Sequence, residues 1–370
     1  MKKLFSLVIC VMALLFASCE PNAPATSNNV VTGAAKDVTT SSVVLYGEVN
    51  VDISAYEDVE FGMMISEVKD DLNNRDGEMF EAKVLMGKEF KLELTNLSPA
   101  TEYYYCAWVF LNNTQYEFGD IKEFTTEALA DGIGIFSVSP DKQVTFSPGN
   151  LQYHPANNVW QFAANQTDYI GADNSNISDT YGGWLDLFGW STSANYFGVN
   201  TSHDWKDYYG SFVDWGTNKI GNDAPNIWRT LTYDEWYYLR YTRTNANDLC
   251  GVARVNGVNG LIFLPDYWTC PAGITFKSGF PSSYYIEYYY QTFTADQWSK
   301  LEKSGAVFLP AAERRHGTYA YDVQDYGYYW SATAYDSYDA YSLRFYSERT
   351  SMDYYNRFFG HSVRLVKDLQ

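Results

Sequence analysis

Short runs in which apolar and polar residues alternate, or which read as strands, dominate the first third of the chain. They cover residues 43–49, 59–65, 90–94, 101–105 and 122–126. Alternation with a period of two is typical of strands that bury one face. The pattern therefore predicts a β-rich domain over residues 30–127, after which the pattern changes.

The turn before the fourth of these runs has a distinctive order of residues. Leu97, Pro99, Thr101 and Tyr103 approximate the Leu-x-Pro-x-Thr-x-Tyr corner of fibronectin type III domains with one extra residue, and Phe-Thr-Thr ends the segment at 124–126. The segment thus resembles a fibronectin type III-like all-β sandwich. The resemblance implies a structural spacer, because such modules share a fold without sharing a function.

Beyond residue 128 two helix starts stand out among further strand-like runs. Thr232 is followed three residues later by Glu235, and Thr294 by Gln297, which is the spacing of a capping box. The second helix is expected to stop at Gly305. The apolar residues predicted to point inward are Trp236, Leu239, Trp298 and Leu301. Two short helices among strands predict an α+β domain over residues 128–370.

The apolar strands of this second domain follow a recognisable order. Runs at 260–265 and 306–310 each end at a proline, and further runs follow at 329–333, 340–345 and 360–366. This order resembles the C-type-lectin fold of formylglycine-generating-enzyme-like domains and of the Fibrobacter-type major paralogous domain. More closely, it resembles the variable protein of a diversity-generating retroelement. The resemblance implies that a C-terminal segment, about 319–368, is rewritten at adenines.

The positions between these last strands are almost all Tyr, Asp or Asn. They are Tyr319, Tyr321, Asp322, Asp325, Tyr326, Tyr328, Tyr335, Asp336, Tyr338, Asp339, Tyr346, Asp353, Tyr354, Tyr355 and Asn356. Codons for these three amino acids differ only in the first base, so adenine rewriting of Asn-type codons would produce this set. Tyr supplies a large contact area with few rotatable bonds, and Asp and Asn supply adaptable hydrogen bonds, as in antibody paratopes. We therefore predict that these residues bind a ligand. The alternative is that the tyrosines are half-buried strand residues with solvated hydroxyls.

The interleaved apolar residues are expected to form the scaffold beneath this face. They are Trp330, Leu343, Phe345, Val363, Leu365 and Val366. Their side chains suit strands that pack inward.

Composition supports a binding surface and excludes some functions. The net charge of −19 argues against a nucleic-acid binder, which needs a basic surface. Tyr is unusually frequent, with 33 residues, of which 6 lie in 30–127 and 27 in 128–370. Because a Tyr hydroxyl must be hydrogen-bonded or left wet, so many tyrosines indicate a surface as well as a core.

The N-terminus reads as an export signal. A basic start and an apolar run to Phe16 precede small residues, the layout of a secretory signal over residues 1–18. Phe-Ala-Ser-Cys at 16–19 resembles a bacterial lipobox, which implies that Cys19 is lipidated; the alternative is an ordinary cleaved signal. Residues 19–29 read as a polar tether. We therefore expect a lipid-anchored envelope protein, displayed at the surface of the outer membrane.

Other chemistry is weakly represented. Cys250 and Cys270 can pair in an oxidising compartment, which would leave Cys106 in a strand and buried. The Glu-Pro-Asn and Trp-Asn-Asp motifs of calcium-dependent lectins do not occur in this domain, although an Asp-containing loop at 173–179 could hold a cation. We predict no catalytic residues, no cofactor and no metal.

These observations lead to one functional hypothesis and two alternatives. The chain is expected to recognise an unknown protein or glycan on a neighbouring cell, host or phage, without catalysis and without nucleic acid. The first alternative is an invariant adhesin or carbohydrate-binding module of the same fold. The second, less favoured, is an enzyme of the formylglycine-generating type; Cys250 and Cys270 have no evident counterpart in its reactive cysteine pair.

Overall fold

The computed structural model describes residues 26–95, 97–112, 115–127, 132–281, 287–321 and 324–369. The predicted signal and Cys19 lie outside these residues. The chain divides into two compact units, with most of residues up to Thr125 in the first and most of the remainder, from Thr126, in the second. The short segments Thr39–Ser42 and Leu94–Ala100 group with the second unit.

In its described residues, the first unit has two antiparallel sheets, one short α-helix and a 3-10 turn at Ile53–Ala55. Its strands are β1 (Val30–Lys36), β2 (Val43–Val49), β3 (Val59–Ser66), β4 (Glu78–Glu81), β5 (Leu85–Met86), β6 (Glu89–Leu94), β7 (Glu102–Leu111), β8 (Gln115–Phe118) and β9 (Lys122–Thr125), and its helix is α1 (Lys69–Asn74). One sheet has the order β1-β2-β6-β5; the other has the order β4-β3-β7-β8, with β9 also paired to β7.

The two sheets bury their facing side chains against each other. Phe61 on β3 contacts Phe90 on β6, with ring centroids 5.1 Å apart. Tyr105 on β7 donates a hydrogen bond to the carbonyl of Gly33 on β1. Alternating residues of β2 are buried, as the period of two predicts. The predicted all-β sandwich is therefore confirmed, and Cys106 is buried in β7 as expected.

The second unit is also mostly strand. Its strands are β10 (Phe136–Ser139), β11 (Lys142–Phe146), β12 (Leu151–His154), β13 (Val159–Phe162), β14 (Arg229–Thr230), β15 (Cys250–Val255), β16 (Val258–Phe263), β17 (Thr292–Phe293), β18 (Val307–Pro310), β19 (Arg315–His316), β20 (Tyr319–Ala320), β21 (Gly327–Ala334), β22 (Asp339–Tyr346), β23 (Arg349–Asn356), β24 (Phe359–Gly360) and β25 (Leu365–Asp368). Across the part of this unit that the structure describes, they form five small sheets, ordered β10-β11-β25-β14, β12-β13, β17-β15-β16-β18, β20-β19-β24 and β21-β22-β23.

Two α-helices complete this unit at the predicted places. α2 (Tyr233–Tyr237) begins at a capping box formed by Thr232 and Glu235, and continues as a π-helical turn to Thr242. α3 (Ala295–Lys303) begins at the capping box of Thr294 and Gln297, and Gly305 follows it with φ +86°. The capping residues satisfy backbone N–H groups that a helix start leaves unpaired.

The core of the second unit contains the predicted scaffold. One apolar cluster joins α2 to β21, β22 and β25, and a second joins the other face of the same strands to β12 and β13. The predicted inward residues of the scaffold are all fully buried: Trp330, Leu343, Phe345, Val363, Leu365 and Val366. The inward residues of the two helices are buried as well: Trp236, Leu239, Trp298 and Leu301.

The pairing of Cys250 with Cys270 does not form. Cys250 is buried in β15, whereas Cys270 is exposed in a loop, and both are free thiols. Because burial raises the pKa of Cys250 to about 11, its thiol is protonated at neutral pH.

No helix among the described residues is both long enough and apolar enough to cross a membrane.

Candidate binding surface

The sheet β21-β22-β23 decides where the predicted site residues lie. β22 and β23 form a continuous antiparallel ladder from Asp339 opposite Asn356 to Tyr346 opposite Arg349. Because successive residues of a strand point to opposite faces, Tyr354 and Tyr355 lie on different sides of the sheet. The predicted residues therefore do not form one continuous face but separate into three groups.

The first group surrounds the guanidinium of Arg314. Its carbon Cζ lies 5.6 Å from the ring centroid of Tyr321, 5.4 Å from that of Tyr328 and 5.9 Å from that of Tyr355. Phe359 is closer, at 4.8 Å. We call these five residues the Arg314 cluster. Its ring faces are occupied by the chain's own cation, an arrangement that stabilises both partners.

A second arginine extends the cluster along the same side of the sheet. Arg344 lies over the rings of Tyr326 and Tyr346, at 5.1 Å and 5.3 Å from their centroids. One of its nitrogens is 3.5 Å from a carboxylate oxygen of Asp353. Tyr319 reaches the cluster at its edge, through an edge-to-face contact with Tyr321 at 4.8 Å.

A buried acid lies next to both arginines. Glu313 is 8% exposed and has a positive φ of 55°. Burial raises the pKa of Glu313 to about 7, although the charge of Arg314 acts in the opposite direction. The charge of the Arg314 cluster therefore changes near neutral pH.

The second group is a row of six tyrosines on the other side of the sheet, where α2 packs. Three come from α2 and its π turn, one from the turn after β21, and two from the strands β22 and β23: Tyr233, Tyr237, Tyr241, Tyr335, Tyr341 and Tyr354. We call this row the tyrosine strip. The distance between ring centroids is 5.0 Å from Tyr241 to Tyr237, 6.0 Å from Tyr237 to Tyr233 and 4.3 Å from Tyr233 to Tyr341. It is 5.4 Å from Tyr341 to Tyr335 and 3.9 Å from Tyr335 to Tyr354.

The third group lies at the turn between β21 and β22. Tyr338 makes edge-to-face contacts with Trp205 at 4.9 Å and with Tyr209 at 6.2 Å. Trp205 and Tyr209 also contact each other, and all three side chains are exposed. We call these three residues the Trp205 triad.

The acidic residues of this turn have structural partners. Asp336 accepts hydrogen bonds from the backbone N–H groups of Tyr338 and Asp339, and Asp339 accepts one from the side chain of Asn356. Arg357 donates to the carbonyl of Asp336 and to that of Tyr208. The turn that carries Tyr338 is thus held in one conformation.

The remaining predicted residues differ in exposure. Tyr319, Tyr335, Tyr338 and Tyr354 are exposed, and Tyr321, Tyr326, Tyr346, Tyr355, Asp353 and Asn356 are partly buried. Tyr328 is only 4% exposed, so it holds Arg314 from beneath. Asp325 is exposed, and its carbonyl accepts a hydrogen bond from Tyr288. Asp322 lies outside the described residues.

Sequence reasoning missed several members of these groups. Tyr233, Tyr237 and Tyr241 lie far before the segment 319–368, but their spacing of four residues places them on one side of a helix. This spacing is the signal in the sequence from which the three tyrosines could have been predicted to lie together. Nothing in the sequence connects Trp205 and Tyr209 with Tyr338, because the contact depends on the fold.

Among the described residues, no group of three His, Cys, Asp or Glu side chains is arranged to hold a metal ion. The Asp-containing loop at 173–179 therefore holds no such group. Within this loop, Asn174 is buried and donates a hydrogen bond to Asp186, and burial raises the pKa of Asp186 to about 6.

Comparisons with known proteins give likenesses to solved structures only. No family model matches the chain, and no curated protein matches it. A fibronectin type III domain from the human KIAA0970 protein is 24% identical, with 27% of this chain and 74% of that chain covered and a TM-score of 0.21. A redesigned β-sandwich protein is 20% identical, covering 26% and 95%, with a TM-score of 0.21. The sensor domain of the anti-sigma factor RsgI4 of Pseudobacteroides cellulosolvens is 17% identical, covering 27% and 94%, with a TM-score of 0.21.

Proposed function

We propose that this chain is an exported, lipid-anchored binding protein of the cell surface. In this proposal Cys19 carries the lipid, the first unit is a fibronectin type III-like spacer, and the second unit is a C-type-lectin-like head. The Tyr- and Asp-rich residues of the segment 319–368 bind the ligand. The function is recognition of a protein or glycan on another cell, a host or a phage.

The observation that carries the proposal is that exposed rings and buried apolar residues are separate positions in the sheet β21-β22-β23 and the turn between β21 and β22. Tyr335, Tyr338 and Tyr354 expose about half of their surface, while Leu343 and Phe345 on the middle strand are fully buried. The exposed rings can therefore change without removing core contacts. A surface that binds different ligands in different variants needs this separation.

The chemistry of the exposed residues suits recognition. Tyr presents a rigid ring with one hydroxyl, so little conformational entropy is lost when it contacts a partner. Exposed aromatic groups of this kind are also frequent at the energetic centres of interfaces. Tyr354 stands on β23, and Tyr335 and Tyr338 stand in the four-residue turn between β21 and β22.

We further propose that the segment is diversified by a retroelement. The supporting observation is that its interstitial positions are almost all Tyr, Asp or Asn, amino acids that adenine rewriting of Asn-type codons would produce. The DNA next to the gene is then expected to hold a near-copy of the 3′ end, mismatched only opposite adenines, and a reverse-transcriptase gene. If both are missing, the face is invariant and the fixed adhesin becomes the better description.

Binding itself can be tested with the full chain on glycan arrays and on cells. We compare the native chain with the triple variant Tyr335→Ser, Tyr338→Ser, Tyr354→Ser. The matched control is Tyr267→Ser, which changes an equally exposed tyrosine of the same unit. The triple variant is expected to lose the target that the native chain and the control retain. Equal binding by all three would contradict the proposal.

One observation favours the carbohydrate-binding alternative. The Trp205 triad exposes an indole and two phenols at one place, and Trp205 lies outside the segment 319–368. An exposed indole is a suitable stacking platform for a sugar ring. In that case Trp205→Ala would abolish binding to a sugar on the array, and exchange of the segment 349–356 would leave it intact.

The enzyme of the formylglycine-generating type receives less support. Such an enzyme depends on a reactive pair of cysteines. Here Cys250 is buried, with its pKa raised to about 11, and Cys270 is exposed in a separate loop. A buried protonated thiol is a poor nucleophile.

A further inference from the structure

The tyrosine strip differs from the Arg314 cluster in what covers its rings. In the Arg314 cluster the guanidinium of Arg314 occupies the ring faces, and beside it Arg344 covers Tyr326 and Tyr346. Among the described residues, only Arg240 makes a cation–π contact with the strip, and it does so at one end, over Tyr241 at 4.8 Å. The other five rings of the strip carry no such contact within the described part of the chain.

The strip is accessible along its whole length. Tyr237, Tyr241, Tyr335 and Tyr354 are between 37% and 51% exposed, and the two central rings are partly buried. The contact of Tyr335 with Tyr354 is a parallel stack, with 4° between the ring planes, so one face of each ring is turned away from the other. A partner can therefore approach ring faces as well as hydroxyls.

The hydroxyls of Tyr233 and Tyr335 do not add charge at neutral pH. Burial and the neighbouring tyrosines raise the pKa of Tyr233, and Tyr354 followed by burial raises that of Tyr335. Apart from Arg240 at the Tyr241 end, the charges beside Tyr233 and Tyr335 are acidic. Asp234 follows Tyr233 and Asp336 follows Tyr335, and both side chains are exposed.

The charge of the whole chain points in the same direction. With a net charge of −19, the chain attracts cationic partners and repels acidic ones. An electron-rich ring beside a carboxylate is a favourable environment for an ammonium or guanidinium group. The chain itself shows this chemistry elsewhere, since Arg254 lies over Tyr289 and Lys277 over Tyr290.

We propose that the tyrosine strip docks a basic segment of a protein partner, whose Lys and Arg side chains lie over its rings and pair with Asp234 and Asp336. This inference rests on the proposed binding function and assigns a partner chemistry to one part of the surface. It also places three binding residues on α2 and its π turn, outside the segment 319–368.

The test uses the full chain and a defined probe. The probe is a synthetic peptide of alternating lysine and glycine, and its affinity is measured by fluorescence anisotropy at about 0.05 M and about 0.15 M salt. Between these two salt concentrations the Debye length falls from about 14 Å to about 8 Å, so electrostatic attraction is screened more strongly. The double variant Tyr237→Leu, Tyr335→Leu keeps apolar area but removes the ring quadrupole. The double variant Tyr237→Phe, Tyr335→Phe keeps the rings.

The Leu variant is expected to bind the peptide about 5- to 25-fold more weakly, which corresponds to two exposed cation–π contacts. The Phe variant is expected to bind like the native chain. Tyr267→Leu, which changes a similarly exposed tyrosine outside the strip and outside the segment 319–368, serves as the matched control and is expected to have no effect. Asp234→Asn is expected to weaken binding and to reduce its salt dependence.

Several results would overturn the inference. Equal peptide affinity in the Leu and Phe variants would mean that only the overall negative charge attracts the peptide. Stronger binding of a proline-rich peptide, or of a glycan, at the same tyrosines would assign the strip to another partner. The broader proposal fails on a separate result, namely that the triple variant of Tyr335, Tyr338 and Tyr354 keeps the cell or glycan target of the native chain. If that variant loses its target while the lysine peptide is indifferent to the strip, the binding function stands and the basic partner is wrong.

Discussion

The separation between scaffold and surface can be measured as a difference in stability between two neighbouring positions. Leu343 on β22 is fully buried in the apolar cluster shared with α2. Truncating a fully buried leucine to alanine costs about 3 to 5 kcal/mol, because apolar contact is lost and a cavity remains. Tyr354 on the adjacent strand is 51% exposed, and its main contact is the stack with Tyr335. Loss of such a pair costs about 0.5 to 1.5 kcal/mol.

We therefore expect Leu343→Ala to lower the free energy of unfolding of the second unit by at least about 1.5 kcal/mol more than Tyr354→Ser does. For a unit of this size the melting temperature falls by about 2 to 4 °C per kcal/mol. Ten of the eleven tryptophans lie in residues 128–370, so tryptophan fluorescence during thermal unfolding follows this unit. If Tyr354→Ser destabilises as much as Leu343→Ala, the exposed tyrosines are part of the core, and a changeable face is refuted.

Three further predictions concern stability, pH and thiol reactivity. Thr232→Ala removes the acceptor for the backbone N–H of Glu235 and is expected to cost about 1 kcal/mol, seen as a lower melting temperature; no change would mean that α2 does not depend on its cap. Glu313 keeps its proton in the folded state up to a pKa of about 7, against an ordinary value of 4.5, so its contribution to stability is present below pH 4.5 and lost as the pH rises to 7. Urea unfolding of Glu313→Gln at several pH values is expected to lack that part of the loss, and an unchanged pH profile would contradict the assignment. Thiol labelling of the native chain is expected at the exposed Cys270 and to fall by one equivalent in Cys270→Ser, while the buried Cys250 reacts only after unfolding; labelling that Cys270→Ser does not reduce would contradict this.

The elements that local chemistry determines could be predicted from the sequence. The alternation at 43–49 predicted β2 with its bounds, and the two capping boxes located the starts of α2 and α3. The apolar residues of the last strands were assigned inward correctly, because a period of two and a buried face leave little choice. These features depend on neighbours in the chain.

The arrangement of the site could not be predicted in the same way. Whether Tyr354 or Tyr355 faces α2 depends on the register of β23 against β22, which is set by pairing and the turn between them. The position of Arg314 among four rings depends on contacts between β19, β21, β23 and β24. The ring of Tyr338 meets Trp205 across more than a hundred residues. Such contacts leave no periodic trace in the sequence.

The ladder between β22 and β23 has a consequence for how the gene can change. A base substitution at the codon of Tyr354 alters one ring on the side of α2 and leaves every other residue on its own side. Loss or gain of a single codon within Arg349–Asn356 instead shifts the register by one, which would turn Tyr355 toward α2 and Tyr354 toward Arg314. Descendants of this gene are therefore expected to carry substitutions at these positions while the number of residues in the hairpin stays constant.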